Sequence, residues 1–396
     1  MSGWKKGAVT LNCEGLKEAV KGKKIALMMN TSALDNEGRL LVDVMVEEKW
    51  ADIAFFFGME HGVRGNIEAG GGDATMVDEK TGIEIVSLYD LPKWKPNAEW
   101  VAKVDAVVFC AQDTGVRHWT YTPWMLTLID AAVEADREVI ILDRPNPIRG
   151  DIVEGGFAID KYAYQDEEFL IGFGYPLRHG MTIGEIALMY NEVRNVGAKI
   201  TVLKMDGWKR DMWWEETGLP WVPPSPNIPT VNSALYFATT GLMQGADFSC
   251  GIATTTPFQY VGDPSWDGEA LANELNSRNL EGIYFIPKYY QAKCYRESLH
   301  NGGSNKTDLC DGVLMVIQDR ETWKPVETQL HIMDAIVKLF PGKYEFDYHK
   351  ALARYRMGVD EICDRAAKGE SLMPVLEKWR KEAEEFKQMR EKYLLY

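Results

Sequence analysis

Two hydrophobic patterns alternate through the first 150 residues. Short apolar runs rich in β-branched and aromatic residues occupy 24–29, 53–58, 105–111 and 139–142. Runs that are apolar throughout, rather than at every second position, predict strands buried on both faces. Segments 40–49, 98–103 and 124–135 between them place apolar residues at helical spacing. Strands alternating with helices predict an α/β fold built on a parallel sheet. The division from a second domain is expected near residue 160, giving 1–160 and 161–396.

Beyond that point Thr182-Ile183-Gly184-Glu185 opens a helix, with Thr182 as its cap and Glu185 completing a capping box. Another strand is expected at 200–205. Segment 218–230 carries Pro220, Pro223, Pro224, Pro226 and Pro229, which excludes helix and central strand. A helix at 233–243, a strand near 313–317 and a helix near 328–339 follow. In the tail, Leu372, Val375, Leu376, Trp379, Ala383, Phe386, Met389 and Tyr393 share one helical face. That face predicts a helix docked on the core, with a homo-oligomer interface as the alternative.

Each early strand breaks off at a polar tip. These are Asn30-Thr31-Ser32, Met59-Glu60-His61-Gly62, Gln112-Asp113-Thr114-Gly115 and Asp143-Arg144-Pro145-Asn146-Pro147. Ligands of open parallel sheets bind outside the carboxyl ends of the strands. The pattern therefore gathers Glu60, His61, Asp113, Asp143 and Arg144 along one rim.

Composition narrows the chemistry. The 396 residues carry a net charge of −15, which disfavours nucleic acid and anionic membrane as partners. The six cysteines (Cys13, Cys110, Cys250, Cys294, Cys310 and Cys363) form no C-x-x-C pair and read as buried thiols. The first residues lack the apolar core of a signal peptide, and no run has the length of a membrane span, so a cytoplasmic location is expected. Gly70-Gly71-Gly72 beside Asp73 reads as a turn. There is no G-x-G-x-x-G, P-loop, H-E-x-x-H or G-x-S-x-G, and the six histidines lack metal-ligand spacing. Carboxylate chemistry without metal or cofactor remains, and paired carboxyls are the usual means of breaking glycosidic bonds.

Glu60 at a strand end suits a general acid, with His61 beside it to orient a substrate oxygen. Both also fit a structural hydrogen-bond pair. Arg117 could fork onto a substrate carboxylate or close a loop with Asp113. Trp119 and Tyr121 could stack on a sugar or belong to the core. Arg178 and His179 precede the capped helix, whose N-terminus favours an anion.

Several strings together resemble one family. They are Glu60-His61-Gly62-Val63-Arg64-Gly65, 112–121, 143–147, 178–182 with Gly184-Glu185, 207–213, 217–221, 223–230 and Tyr393-Leu394-Leu395-Tyr396. The resemblance is to the DUF1343 proteins, the NamZ-like exo-β-N-acetylmuramidases, and it spans nearly the whole chain. It implies a Rossmann-like N-terminal domain, a smaller α/β C-terminal domain and an active-site cleft between them. It further implies release of terminal N-acetylmuramic acid from the non-reducing end of a saccharide or muropeptide. Carried over by motif, Glu60 is the acid, and His61, Asp113, Arg117, Tyr121, Arg144, Asn146, Glu154, His179 and Asn227 line the cleft. Asp113 is the candidate second carboxylate, and Arg117 or Arg178 would meet the lactyl carboxylate of the sugar. Where the family reads S-E-G-R-G-T-T, residues 249–255 place Cys250 and Ile252, and Gln259 stands where Glu is usual. These departures leave open a sugar-binding protein without turnover, or a glycosidase for another sugar.

Overall fold

A computed structural model describes residues 7–67, 72, 74–91, 95–163, 173–292, 308–348 and 352–396. Seven strands share one sheet: β1 (Lys24–Met29), β2 (Asp52–Gly58), β3 (Met76–Val77), β4 (Glu84–Ser87), β5 (Ala106–Cys110), β6 (Glu138–Leu142) and β7 (Lys199–Leu203). Their order is β3-β4-β2-β1-β5-β6-β7. Every pairing is parallel except β3 against β4.

Side chains that alternate along a strand leave on opposite faces. Ala26 and Met28 of β1 join one apolar cluster with the helices Tyr121–Glu134 and Ile183–Val193. Ile25, Leu27 and Met29 join another with the helices Cys13–Val20 and Leu41–Glu47. Both faces are covered, which explains why the strands read as continuous apolar runs. From β1 the chain first builds outward through β2 and β4, then crosses to β5, β6 and β7 on the other side. Strand order thus reverses at β1, and the crevice for a ligand belongs outside the carboxyl ends of β1 and its neighbours.

β7 comes from beyond residue 160, so the parallel sheet extends past the division expected from sequence. A separate antiparallel sheet, ordered β8-β10-β9, combines β8 (Tyr260–Asp263), β9 (Ile283–Ala292) and β10 (Asp308–Ile317). Val261, Phe285, Val313 and Met315 pack it against the helices Gly268–Ser277 and Pro325–Leu339. The tail helix Met373–Arg390 buries Val375, Leu376, Trp379, Ala383 and Phe386 on the same core, as its spacing predicts, whereas Met389 is exposed.

Cys13, Cys110, Cys250, Cys310 and Cys363 are buried, and burial pushes the Cys13, Cys250 and Cys363 thiols up to about 12. Cys294, Gly70, Gly71 and Asp73 lie outside the described residues. Among the described residues, no helix is long and apolar enough to cross a membrane.

Candidate active site

The tip of β2 is built by a reversal of backbone handedness. His61 and Gly62 take φ values of 68° and 75°, and the Gly62 N–H closes a turn on the Met59 carbonyl at 2.9 Å. Left-handed backbone is uncommon outside glycine, though histidine is among the residues enriched there. The turn leaves Glu60 half-buried at the strand end and folds the buried His61 ring inward. His61 Nδ1 lies 3.0 Å from the Ile67 carbonyl oxygen, which places the ring proton on Nδ1. Gly72 bridges back to Glu60, and a Cβ on Gly72 would stand 2.4 Å from the Tyr89 ring, so this approach requires glycine. Burial, and then the charge of Glu60, push the Tyr89 hydroxyl above its ordinary range.

The start of the helix Tyr121–Glu134 meets this tip. Thr120 Oγ1 donates to Glu60 Oε2 at 2.7 Å. The Asn30 amide, at the tip of β1, donates to the Tyr121 hydroxyl at 2.5 Å. That hydroxyl donates to the Pro224 carbonyl at 2.6 Å, with the Glu60 carbonyl a weaker second acceptor at 3.3 Å. One buried phenol therefore ties together β1, β2 and the proline-dense loop. Tyr121 is fully buried, and Trp119 meets it edge-to-face at 4.8 Å between centroids. Both rings belong to the core beneath Glu60, and neither offers a face to a sugar.

Asp113, at the tip of β5, reaches the same helix start. Thr122 Oγ1 lies 3.5 Å from Asp113 Oδ1, and the Gly115 N–H donates to Oδ2 at 2.8 Å. Residues two apart leave a helix in different directions, so Thr120 and Thr122 hold the two carboxylates on different sides of one turn. His179 Nδ1 accepts from the Met181 N–H at 3.1 Å, leaving the ring proton on Nε2. Nε2 stands 3.3 Å from Asp113 Oδ2, close enough for attraction but off the line of a hydrogen bond. Asp113 is 4% exposed and His179 0%. The structure thus brings Asp113 and His179 together behind the rim.

The remaining predicted residues are placed differently. Arg117 is fully buried, and its guanidinium serves the carbonyls of Gly156 (2.9 Å), Tyr175, Arg356 (3.4 Å) and Met357 (2.5 Å). Burial lowers its pKa to about 10. Arg178, also fully buried, donates to Glu154 Oε1 at 2.6 Å and to the Ile148 carbonyl. Glu154 Oε2 in turn accepts from the Val326 N–H at 3.1 Å, joining the sheet domain to the helix Pro325–Leu339. Burial pushes the Glu154 carboxyl above its ordinary range despite the attraction of Arg178. Both arginines are committed to protein oxygens, so neither has the posture of a fork for a substrate carboxylate.

Arg144 donates to Gln112 Oε1 at 3.1 Å and to the Leu34 carbonyl at 3.2 Å, tying the tip of β6 to that of β5 and to the loop after β1. Asn146 bonds Met181 and Ile148 backbone groups. Asp143 departs from the expected rim. It is fully buried and accepts from Thr182 Oγ1 (2.7 Å), the Gly184 N–H (2.9 Å) and the Tyr396 hydroxyl (2.8 Å). Burial raises its pKa to about 6. Asn227 is half-buried in the proline-dense loop, its N–H bonded to Ser225 Oγ at 3.2 Å.

Residues 249–259 form the turn leading into β8. Cys250 is fully buried and Ile252 packs on the core, so the neutral pair leaves no orphaned charge there. Gln259 Nε2 donates to the Tyr236 hydroxyl (3.2 Å) and the Met315 carbonyl (2.9 Å), roles that a carboxylate could not fill. Asn30, Tyr89 and Thr120 were not singled out from sequence as site residues. The available signal for Asn30 was its position at the tip of β1, the strand where sheet order reverses.

The comparisons with known proteins agree with this architecture. A model of the N-terminal part of exo-beta-N-acetylmuramidase NamZ matches residues 25–232, and one of its C-terminal part matches residues 235–396. The chain is 36% identical over 380 residues to the peptidoglycan beta-N-acetylmuramidase NamZ of Bacillus subtilis (strain 168), covering 96% of this chain and 88% of that protein. The crystal structure of a DUF1343 family protein from Bacteroides fragilis matches with a TM-score of 0.86 at 31% identity. A second from the same organism gives 0.73 at 28%, and each match covers 98% of this chain and 99% of the other. With both halves matched in order and the Rossmann-like sheet in place, this chain belongs to the NamZ exo-beta-N-acetylmuramidase family.

Proposed function

We propose that the protein is a cofactor-independent, exo-acting glycoside hydrolase that releases terminal N-acetylmuramic acid from the non-reducing end of peptidoglycan fragments. Glu60 is the general acid. The observation that carries this role is its placement: a half-buried carboxyl at the carboxyl end of β2, next to the strand where sheet order reverses, with Oε2 held by Thr120. His61, turned back onto the Ile67 carbonyl, fixes the shape of the tip.

Asp113 acts behind the rim. With its carboxylate engaged by Gly115 and facing His179, it suits stabilisation of positive charge near the sugar ring better than direct attack. Attack by the substrate's own acetamido oxygen, the substrate-assisted route, fits that placement. Tyr121, Arg144, Asn146, Glu154, Arg178 and His179 then serve the cleft by holding its walls, and Asn227 sits on the loop that Tyr121 anchors.

The test is a panel of aryl glycosides of N-acetylmuramic acid and of the same amino sugar without its lactyl group. The expected result is release from the muramide, with Glu60→Gln lowering kcat by about 10²–10⁴-fold, the usual contribution of a general acid. Retention of most activity in Glu60→Gln would remove Glu60 from the role. Calorimetric binding of N-acetylmuramic acid without turnover in the unmodified protein would replace hydrolysis with a sensing function.

A further inference from the structure

Three threonines precede long helices here, and one behaves unlike the others. Thr182 and Thr230 cap Ile183–Val193 and Val231–Thr240, their side chains accepting from the backbone N–H of Glu185 and Ser233. Thr120 holds the same position before Tyr121–Glu134, but its hydroxyl makes no capping bond and its backbone is already helical (φ −65°, ψ −23°). The hydroxyl proton goes to Glu60 Oε2, 2.7 Å away. A helix thus forgoes the side-chain cap that threonine ordinarily supplies, and the group is spent on a carboxylate 60 residues earlier in the chain.

We infer that Thr120 is a positioning residue for Glu60, an inference that rests on the general-acid reading above. Holding Oε2 directs Oε1 as the oxygen that carries the acidic proton. In the glycosidic step that proton passes from Oε1 to the leaving oxygen as the C1–O bond breaks and its electron pair goes to that oxygen, while the substrate's acetamido oxygen forms the new bond to C1. Glu60 is left as a carboxylate. The Thr120 hydroxyl keeps its own proton throughout. Its hydrogen bond strengthens as charge develops on the carboxyl, because bonds to ionised acceptors are the stronger ones. The interaction is therefore realised more fully in the transition state than in the ground state, and it lowers kcat rather than raising KM when lost.

The test compares kcat and KM of Thr120→Val, Thr120→Ser and Glu60→Gln on the chromogenic muramide. Thr120→Val is expected to lower kcat by about 10–100-fold, the weight of a hydrogen bond to a charged group, with KM within about twofold. Thr120→Ser should restore kcat. The melting temperature should hardly change, because no cap is lost. Thr120→Ala provides the same comparison should valine disturb the turn. If Glu60→Gln is inactive while Thr120→Val and Thr120→Ala keep the parent kcat, the positioning role is wrong and the acid stands. If Glu60→Gln stays active, the acid reading itself fails. A loss of melting temperature in Thr120→Val, with the folded fraction keeping the parent kcat and KM, would make Thr120 merely structural and overturn the inference.

Discussion

The tips of β2 and β6 carry similar charged strings, yet the fold puts them to opposite uses. At β2, Glu60 is half-buried, with the Thr120 hydroxyl on Oε2. At β6, Asp143 is fully buried beneath three donors, one of them from Tyr396 at the end of the chain. Glu154 and Arg178 extend that interior pattern, with both Glu154 carboxylate oxygens and both terminal nitrogens of Arg178 bonded to protein partners. A carboxylate enclosed by its own protein organises the fold, whereas one at the mouth of a crevice can exchange a proton with a ligand. Burial, more than residue type, separates the two.

The sharpest way to break this comparison is at the buried pair. Arg178→Met removes one partner and leaves Glu154 buried beside a neutral side chain. Breaking such a pair costs about 3–5 kcal/mol, so chemical denaturation should show a large loss of stability. The protein that remains folded should keep its turnover. A variant with parent stability, or one fully folded but inactive, would place Arg178 in the substrate site instead.

A smaller effect sharpens the contrast at β6. The Asp143 carboxyl titrates at about 6 in the folded protein against an ordinary 3.8. Between those values the folded state holds a proton that the unfolded chain has released. The stability from this group is therefore full below pH 4 and is lost as pH rises through 6, by about 2–3 kcal/mol. Asp143→Asn removes that dependence. The stability of the parent relative to Asp143→Asn should fall between pH 4 and 6 and level off above 7. A flat difference, or one that rises with pH, would contradict the burial-dominated account of Asp143.

Much of this fold was legible in sequence because burial on both faces writes a simple signal. The five longest parallel strands read as apolar runs, and the Thr182–Glu185 capping box formed as its spacing predicts. β3 and β4 are only two and four residues long, too short to establish a pattern. β9 lies at the edge of its sheet, carries Pro287 and exposes alternate and consecutive residues, so its periodicity is blurred. At the site, motif strings located the tips but could not tell a side chain facing the crevice from one facing inward. Arg117 and Arg178 look like substrate forks in sequence, yet they serve carbonyls and Glu154. Thr120 is an ordinary helix-start residue in sequence, and only its diverted hydroxyl marks it.

The central claim is spatial: Glu60 faces the bound sugar while Asp113 stands behind the rim. A crystal structure of Glu60→Gln with a muramic-acid disaccharide tests it most directly. The account predicts the side chain of residue 60 within hydrogen-bonding distance of the glycosidic oxygen, with Asp113 still engaged by Gly115 and His179. A sugar seated elsewhere, or one whose leaving oxygen faces Asp113 instead, would contradict it.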